Sequence, residues 1–281
     1  MIKNIGIVGQ GFVGGSINQF FKDKIPTHTF DLNGNCNCKS LEDLVSKSEI
    51  IFVCLPTPMY ENGSCDLSII KNTIKKIEEI ESNKIIVIKS TVVPGTTQEL
   101  INLHHNNIVF NPEFLTEANA ANDFKMQDRI ILGGEGKALE MCNKFFSYHF
   151  SNTKIVLCSP TEAELVKYIT NTFLTTKVAY ANEIYNICQF LGVDYINLSK
   201  IFTLDKRLGD SHWNVPGPDG KTGYGGSCFP KDINALIQFA KENNIPTPVL
   251  ENVWNRNITI DRKEQDWKKL IGRAVSKKDE K

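Results

Sequence analysis

The sequence has 281 residues, 41% of them hydrophobic, and its 32 Lys and Arg residues are balanced by 32 Asp and Glu residues. At about 150 residues per domain, this length predicts two domains. Because the charges are interspersed, we expect no basic surface for nucleic acid or for an anionic membrane. No apolar run reaches the ~18 residues needed to cross a bilayer.

Cysteine usage favours a reducing compartment. The eight cysteines fall at irregular spacing, and the chain shows no signal peptide. We therefore predict reduced thiols in a soluble, cytoplasmic protein. Cys36 and Cys38 have no second Cys or His pair at zinc spacing, so no metal site is predicted.

The chain opens with the pattern of a dinucleotide-binding unit. A short apolar strand at residues 2–8 leads into Gly9-Gln-Gly-Phe-Val-Gly14 and then into a helix. The glycines permit a tight turn and the close approach of a pyrophosphate, whose charge the helix N-terminus stabilises. Asp31 ends the next strand, about 20 residues on, where a carboxylate can bond the ribose of NAD and repel the 2′-phosphate of NADP. The predicted NAD-binding residues here are Gly9, Gly11, Phe12, Val13, Gly14 and Asp31. The alternative is a generic strand-to-helix turn.

Strand and helix patterns then alternate as far as residue 158. Helices are predicted at 41–46, 67–81 and 96–103, and strands at 49–55, 84–89, 107–110, 129–132 and 154–158. This alternation predicts an α/β fold, a Rossmann-like doubly wound parallel sheet, in an NAD-binding domain over residues 1–159. Ligands of such sheets bind beyond the carboxyl ends of the strands. The polar segments 55–58, 89–92 and 111–117, which follow strands, are therefore candidate site segments, although each alone also fits a solvated loop.

The second half of the chain is predicted to be helical. Residues 161–191 contain no Pro or Gly and predict one long central helix of about eight turns. Lys167 and Asn171 share a face of that helix. Helices are also predicted from residue 196, from 232 to 241 and from 248 to 275, around a loop at 205–222. We assign residues 160–275 to the central helix and a helical substrate and dimerisation domain, and residues 276–281 to a charged tail that frays.

A glycine-rich segment in this half, Gly223-Tyr-Gly-Gly-Ser-Cys-Phe-Pro-Lys-Asp232, carries a candidate nucleophile. Its glycines let the backbone pass close to a ligand. A helix starts near Asp232, and both the helix N-terminus and Lys231 favour the thiolate form of Cys228. The alternative is a small buried cysteine beside a turn.

Together these motifs resemble the UDP-glucose/GDP-mannose dehydrogenase family. The matching segments are the glycine turn with Asp31, Pro56-Thr-Pro58, Ser90-Thr-Val92, Asn111-Pro-Glu-Phe-Leu-Thr-Glu117, Lys167 with Asn171, Arg207-Leu-Gly209 and Gly225-Gly-Ser-Cys-Phe-Pro-Lys-Asp232. The resemblance implies oxidation of the C6 alcohol of a nucleotide sugar to a carboxylate, with two NAD⁺ reduced and no aldehyde released. It also implies a long helix at a dimer interface. A second Rossmann-like domain normally follows in the family and helps to hold the nucleotide, but it is absent from this sequence.

The resemblance implies a role for each matching residue. Cys228 would form a thiohemiacetal and then a thioester that water cleaves. Lys167 and Asn171 would stabilise the oxyanion, while Asp232, Glu113 and Thr91 would form a network of base and water. The implied cofactor contacts also include Pro56, Thr57, Thr91, Glu117 and Lys231. The implied substrate contacts are Phe114, Leu115, Lys167, Asn171, Arg207, Tyr224, Gly225 and Gly226.

The substrate and the oligomer are further expectations. Relatives that act on N-acetylated sugars carry His where this chain has Ser227, which favours UDP-glucose or GDP-mannose, and residues 161–167 favour UDP-glucose. The insert at 216–220 departs from the family spacing. The apolar surplus of residues 161–191 predicts a homodimer along that helix, working without the second nucleotide-binding domain.

Two alternative functions stay open on the sequence. One is a single-step dehydrogenase of the β-hydroxyacid type, which needs no cysteine nucleophile. The other is a non-catalytic NAD-binding protein. The number of NADH molecules formed per sugar separates the three readings, as two, one or none.

Overall fold

The computed structural model describes residues 2–34, 36–103 and 107–277, which form two compact units. The first unit comprises the residues up to Thr57 together with Leu67–Lys167, and the second comprises Pro58–Asp66 and the residues from Tyr168 onward. The sequence-based domain limits, 1–159 and 160–275, stay predictions. Of the predicted tail, 278–281 lie outside the described residues, and the Ser276 hydroxyl donates a hydrogen bond to Asp66 at 3.0 Å.

The first unit is built on a single sheet of seven strands. The strands are β1 (Ile5–Val8), β2 (Thr27–Phe30), β3 (Ile50–Val53), β4 (Ile85–Ile88), β5 (Ile108–Phe110), β6 (Arg129–Gly133) and β7 (Lys154–Cys158). They lie in the order β2-β1-β3-β4-β5-β6-β7. The order reverses at β1, so the gap between β1 and β3 is the switch point where sheets of this kind bind ligands.

Helices flank the sheet and bury both of its faces. They are α1 (Phe12–Phe21), α2 (Leu41–Lys47), α3 (Ser68–Ile80), α4 (Thr96–Leu103), α5 (Ala120–Lys125) and α6 (Gly136–His149). Alternate strand residues enter different hydrophobic clusters, Ile7 and Phe52 in one, Val8 and Val53 in the other. Burial on both faces explains why β1, β3 and β4 consist almost entirely of apolar residues.

The predicted Rossmann-like α/β fold is confirmed, with one difference: the last two strands, β6 and β7, run opposite to the other five. Strands β1 to β5 are parallel, but β6 pairs with β5 in antiparallel orientation through Phe110 and Gly133. The six-residue helix α5 between them packs against α1 instead of running back along the sheet. At about 1.5 Å per residue it is only about 9 Å long. The chain therefore re-enters the sheet at the end where β5 leaves it, and β6 runs in the opposite direction to β5.

The predicted long helix is present as α7 (Pro160–Leu191), and it contains the boundary between the two units. It begins with a capping box. The Ser159 hydroxyl accepts a hydrogen bond from the Glu162 N–H at 3.3 Å, and the Glu162 carboxylate accepts one from the Ser159 N–H at 2.8 Å. Pro160 follows the cap at the first helical position, where its missing N–H costs nothing.

The remaining helices of the second unit are α8 (Tyr195–Phe202), α9 (Phe229–Glu242) and α10 (Pro248–Arg256). The prediction of one helix over 248–275 was wrong. After α10 comes a π-helical turn, Asn257–Asp261, and then a short 3₁₀ turn, Asp266–Lys269. The α-helical pattern does not continue past α10, because the Arg262 N–H bonds the Asn257 carbonyl, five residues back, at 2.7 Å. No helix among the described residues is both long and apolar enough to cross a membrane.

Candidate functional site

The three glycines of the β1–α1 turn, two before α1 and one in its first turn, have different steric roles. Gly9 has a φ of +90°, and a Cβ there would lie 2.3 Å from the Cys54 carbonyl oxygen. A Cβ on Gly14 would lie 1.9 Å from the Gly9 carbonyl oxygen, whereas a Cβ on Gly11 would meet no described atom within 4 Å. Gly9 and Gly14 therefore close the turn, and Gly11 leaves the space that a pyrophosphate needs.

Asp31 is bonded directly to this turn. Its Oδ2 accepts a hydrogen bond from the Gln10 N–H at 2.6 Å, and its Oδ1 accepts one from the Asn33 N–H at 2.7 Å. A carboxylate offers about four acceptor positions, so acceptor capacity remains for the hydroxyls of a ribose. Phe12 and Val13 form the first turn of α1, whose N-terminal N–H groups no described side chain caps. The turn thus fits a dinucleotide, with an anion at the helix N-terminus.

The segments that follow β3 and β4 are joined by side-chain hydrogen bonds. The Thr57 hydroxyl donates to the Thr91 carbonyl at 2.8 Å, and the Leu55 N–H donates to the Ser90 hydroxyl at 2.9 Å. Thr57 and Thr91 are buried, while Pro56 is exposed. Two of the three segments selected from the sequence therefore lie together at the carboxyl edge of the sheet.

The third segment holds a buried ion pair between Glu113 and Lys167. The Lys167 ammonium donates to the Glu113 carboxylate at 2.9 Å and to the Glu113 carbonyl at 2.7 Å. The Leu115 N–H donates to the second carboxylate oxygen at 2.8 Å. Burial alone would raise the pKa of Glu113, but the charge of Lys167 and these hydrogen bonds hold it below its usual value. Glu113 is therefore an ionised acceptor, suited to orient a water or a hydroxyl rather than to act as a strong base.

Phe114 and Glu117 occupy different environments in the same segment. The Arg129 guanidinium lies 4.5 Å from the centre of the Phe114 ring, and the Lys167 ammonium lies 5.6 Å from it. Two cations therefore lie beside the Phe114 ring, and the negative potential of an aromatic face attracts such charges. Leu115 packs against the core, and Glu117 is exposed.

Lys89, directly after β4, lies in the predicted candidate segment 89–92 but was given no individual role from the sequence. Only 3% of it is exposed, and its ammonium donates to the Asn111 side-chain oxygen at 2.8 Å. Burial, helped by the charge of Lys167 and opposed by Cys54 and Glu113, lowers the pKa of Lys89 to about 8. A lysine that follows four buried apolar residues is the signal that could have identified it.

The second unit carries the candidate nucleophile at the start of α9. Cys228 is the N-cap residue of this helix, and Pro230 lies in its first turn. The buried Asp232 carboxylate accepts from the Lys231 ammonium at 2.5 Å through one oxygen and from the Asn171 amide at 2.5 Å through the other. Asp232 therefore links the glycine segment to helix α7.

Lys231 supplies a permanent positive charge near Cys228. Burial alone would lower the pKa of Lys231, but Asp232 first, and then Cys228 and Cys65, raise it above its usual value. Since the interaction between two charges is mutual, the Lys231 ammonium favours the thiolate of Cys228. This residue was assigned to the cofactor from the sequence, and the structure places its ammonium on Asp232.

The other residues assigned to the substrate differ in accessibility. Gly226 has a φ of +74° and open space where a Cβ would be, so its backbone is accessible. Tyr224 is buried in a cluster with Ala179, Ile233 and Val253, so its ring packs in the core. Arg207 lies in a 3₁₀ turn, Lys206–Leu208, where its guanidinium bonds Asp205 and its side chain is 88% exposed.

Comparison with known proteins places these features in one family. Models of the UDP-glucose/GDP-mannose dehydrogenase family match residues 23–148, as the NAD binding domain, and residues 161–259, as the central domain. A UDP-glucose 6-dehydrogenase from Rickettsia bellii is 41% identical over 221 residues, which are 76% of this chain and 50% of that protein. The chain spans about half the length of the curated relatives it matches.

Solved structures agree with this assignment. A UDP-glucose dehydrogenase from the hyperthermophilic archaeon Pyrobaculum islandicum superposes with a TM-score of 0.80 at 26% identity, over 92% of this chain and 68% of that one. A 3-hydroxyisobutyrate dehydrogenase from Mycobacterium tuberculosis has a TM-score of 0.72 at 16% identity, over 91% of this chain and 92% of that one. At that identity the second likeness shows a shared fold alone.

Proposed function

Because the chain belongs to the UDP-glucose/GDP-mannose dehydrogenase family, we propose that it oxidises the C6 alcohol of a nucleotide sugar to the carboxylate. The proposed substrate is UDP-glucose and the product UDP-glucuronate. The observation that carries the proposal is the hydrogen-bonded chain of Lys231, Asp232 and Asn171 beside Cys228, in which Asp232 and Asn171 are buried and the Lys231 side chain is 12% exposed. A single-step dehydrogenase has no use for a cysteine held next to a largely buried cation, so this arrangement favours the four-electron reaction.

The cofactor is NAD. Asp31 would hold the adenosine ribose, and the N–H groups of the first turn of α1 would hold the pyrophosphate above Gly11. When bound, the oxidised nicotinamide supplies the hydride acceptor for each oxidation.

The first oxidation requires a proton to leave the C6 hydroxyl as hydride leaves the carbon. We assign the acceptance of this proton to a network of water with Asp232, Glu113 and Thr91. The ionised state of Glu113, maintained by Lys167 despite burial, supports its part in that network.

The second oxidation requires a nucleophile, because an aldehyde carbon has no suitable hydride to lose until a nucleophile has added. The Cys228 thiolate adds to the carbonyl carbon, and the resulting thiohemiacetal loses hydride to give a thioester. Water then cleaves the C–S bond, which releases the carboxylate and restores the thiolate. In this proposal Lys167 and Asn171 stabilise the oxyanions, since an ammonium and an amide are the donors this step needs.

Counting NADH per sugar is the test of the proposal. We expect two NADH per UDP-glucose consumed. One NADH would favour a single-step dehydrogenase, and none, with NAD still bound, would favour a binding protein. Running the assay in parallel with GDP-mannose separates the two candidate substrates.

We further propose that the chain forms a homodimer along α7. Exposed apolar side chains repeat at intervals of four and seven residues on this helix: Ile169 at 59% exposure, Phe173 at 62%, Tyr180 at 55% and Ile187 at 49%. Such spacing places them in one stripe, which a partner helix could cover. Sedimentation of Phe173→Glu beside the parent chain tests this, and a parent that sediments as a monomer contradicts it.

We propose the cytoplasm as the location of the protein, because the irregular spacing of the eight cysteines favours reduced thiols.

A further inference from the structure

We infer that Asn257 is a positioning residue for Cys228, and that with Asp261 and Arg262 it forms a clamp on the backbone of residues 222–225. The clamp is the set Asn257, Asp261 and Arg262, and all of its contacts lie within the second unit. The inference rests on the proposed function in so far as Cys228 is the nucleophile.

Asn257 bonds both backbone groups of Tyr224. Its side-chain oxygen accepts from the Tyr224 N–H at 2.9 Å, and its side-chain nitrogen donates to the Tyr224 carbonyl at 3.0 Å. The Asn257 residue is 0% exposed, so these bonds do not compete with water. A buried amide with both ends paired to one residue fixes that residue as a neighbouring strand would, and leaving either end unpaired would be costly.

Gly223 shows how close the clamp lies to the turn. A Cβ on Gly223 would lie 2.4 Å from the Asn257 side-chain oxygen, and its φ of +65° already disfavours other residues. The Gly223 N–H also donates to the Asn182 side chain at 3.2 Å. Gly223 is therefore required both by the backbone conformation and by the close approach of Asn257.

Asp261 and Arg262 hold the residues on either side. The Thr222 hydroxyl donates to the Asp261 carbonyl at 2.5 Å. The guanidinium of Arg262 is packed against Gly225, where a Cβ would lie 2.6 Å from its Nη2 atom. Four consecutive residues ahead of Cys228 thus contact one short segment after α10.

The π-helical turn brings Asn257 and Arg262, at the two ends of this segment, to neighbouring residues of the glycine segment. In an α-helix, residues five apart point about 140° away from each other around the axis. The bond from the Arg262 N–H to the Asn257 carbonyl instead closes a wider turn of five residues. Turns of this kind are frequent at functional sites, and this one lets Asn257 and Arg262 reach neighbouring residues of the same loop.

Arg262 also connects the clamp to the insert at 216–220. Its guanidinium bonds Asp219 of the insert at 2.6 Å and Asp266 at 2.9 Å, and only 3% of Arg262 is exposed. The side chain is therefore held on two sides by carboxylates while its face rests on Gly225. The insert is therefore anchored to the clamp through the bond between Asp219 and Arg262.

The position of the thiol follows from these contacts. Cys228 is the N-cap residue of α9, and in the chain it follows the clamped residues 222–225 after only two intervening residues. A misplacement of about 1 Å can cost about 10²-fold in rate. Loosening the clamp should therefore affect Cys228 chemistry and leave the dinucleotide turn, which lies in the first unit, unchanged.

The test is Asn257→Ala in the full chain, with Asn252→Ala as the matched control. Asn252 lies on α10, and its amide donates to the Pro248 carbonyl on an exposed face. Turnover of UDP-glucose, NAD affinity, the unfolding midpoint and the pH dependence of Cys228 alkylation by iodoacetamide are measured for each. For Asn257→Ala we expect turnover to fall by about 10²-fold, NAD affinity to stay within about twofold, and the alkylation midpoint to rise as the thiol leaves the field of Lys231.

The alkylation readout separates positioning from general destabilisation, because it is made well below the unfolding midpoint. If Asn257→Ala does not fold, Asn257→Asp keeps the acceptor for the Tyr224 N–H and should show the same changes to a smaller extent. Turnover and alkylation equal to those of Asn252→Ala would overturn the inference. A parent chain that fails to oxidise any nucleotide sugar, while Asn257→Ala still shifts alkylation, would reject the proposed function and leave the positioning role standing.

Discussion

Lys167 donates to both ends of Glu113, to the side-chain carboxylate at 2.9 Å and to the backbone carbonyl at 2.7 Å. Both side chains are buried, with 5% and 7% of their surface exposed. Taking two such charges out of water is costly, so the pair persists only because the geometry is good and the second carboxylate oxygen is also bonded. One ammonium thereby fixes both the side chain and the main chain of Glu113, the third residue of the polar segment 111–117.

Replacing Lys167 by Met should therefore affect both stability and activity. The substitution leaves the Glu113 carboxylate buried without its charge partner, and we expect the free energy of unfolding to fall by about 3–5 kcal/mol. Turnover should fall by about 10²–10³-fold, the usual effect of losing one oxyanion donor. Urea denaturation and NADH formation measure the two effects.

The double variant Lys167→Met with Glu113→Gln is the control for this prediction. It removes both charges together and should recover much of the lost stability while turnover stays low. If Lys167→Met alone keeps near-normal turnover, Lys167 has only a structural role.

We predict that Glu164 makes the free energy of unfolding depend on pH. Its carboxylate is fully buried and accepts from the Gly95 N–H at 2.6 Å and the Thr97 N–H at 2.7 Å, at the start of α4. Burial raises the pKa of Glu164 to about 7, although the bonds from Thr97 and Gly95 oppose the shift. The folded state then holds its proton at pH values where the unfolded chain, with a pKa of about 4.3, has lost it.

The sign of the effect follows from the proton balance. Between pH of about 4.5 and about 7 the folded state binds more protons, so the free energy of unfolding falls as pH rises, by about 3 kcal/mol from this group. Glu164→Gln should flatten that part of the stability curve in urea titrations. An unchanged slope would mean that the two backbone N–H groups keep Glu164 ionised in the fold.

Asp31→Asn tests the choice between NAD and NADP. The amide oxygen can still accept from Gln10, so the turn should keep its shape, but the negative charge is lost. Affinity for NAD should fall by about 10- to 100-fold, the range for a hydrogen bond to a charged group, and discrimination against the 2′-phosphate should relax. The measurement is the dissociation constant of NAD and of NADP for Asp31→Asn and for the parent chain. A preference identical to that of the parent chain would show that discrimination lies elsewhere.

Much of the fold was predictable because its signals are local. The apolar residues of β1, the three glycines and Asp31 lie within about 25 consecutive residues, and each has a steric or electrostatic reason readable from the sequence. The antiparallel β6 was not predictable in this way. Its orientation depends on α5 packing against α1, a contact between helices about 100 residues apart in sequence.

The candidate site was predictable only in part, for the same reason. Glu113, Lys167 and Cys228 were selected because polar residues after strands, or beside glycines, are unusual. Lys89 was selected only as part of segment 89–92, without a role of its own, and Asn257 was not selected, since a lysine after a strand and an asparagine on a helical pattern both look solvated. Their burial depends on partners distant in sequence, Asn111 and Tyr224. The prediction of one helix over 248–275 was wrong for the same reason: Asn257, which looks like a residue of a helix surface, bonds Tyr224 of the glycine segment instead.

Cys228→Ser tests the division of the proposed reaction into two oxidations. A serine hydroxyl has nearly the shape of the thiol but is not ionised near neutral pH, so it cannot add efficiently to the aldehyde. The first oxidation does not use this group. We therefore expect at most one NADH per UDP-glucose, in place of two, with an aldehyde that semicarbazide traps. NAD affinity should stay within about twofold, because Cys228 and the dinucleotide turn belong to different units. Cys158→Ser, at the half-buried end of β7, is the matched control and should still give two NADH. Two NADH from Cys228→Ser itself would exclude the covalent route.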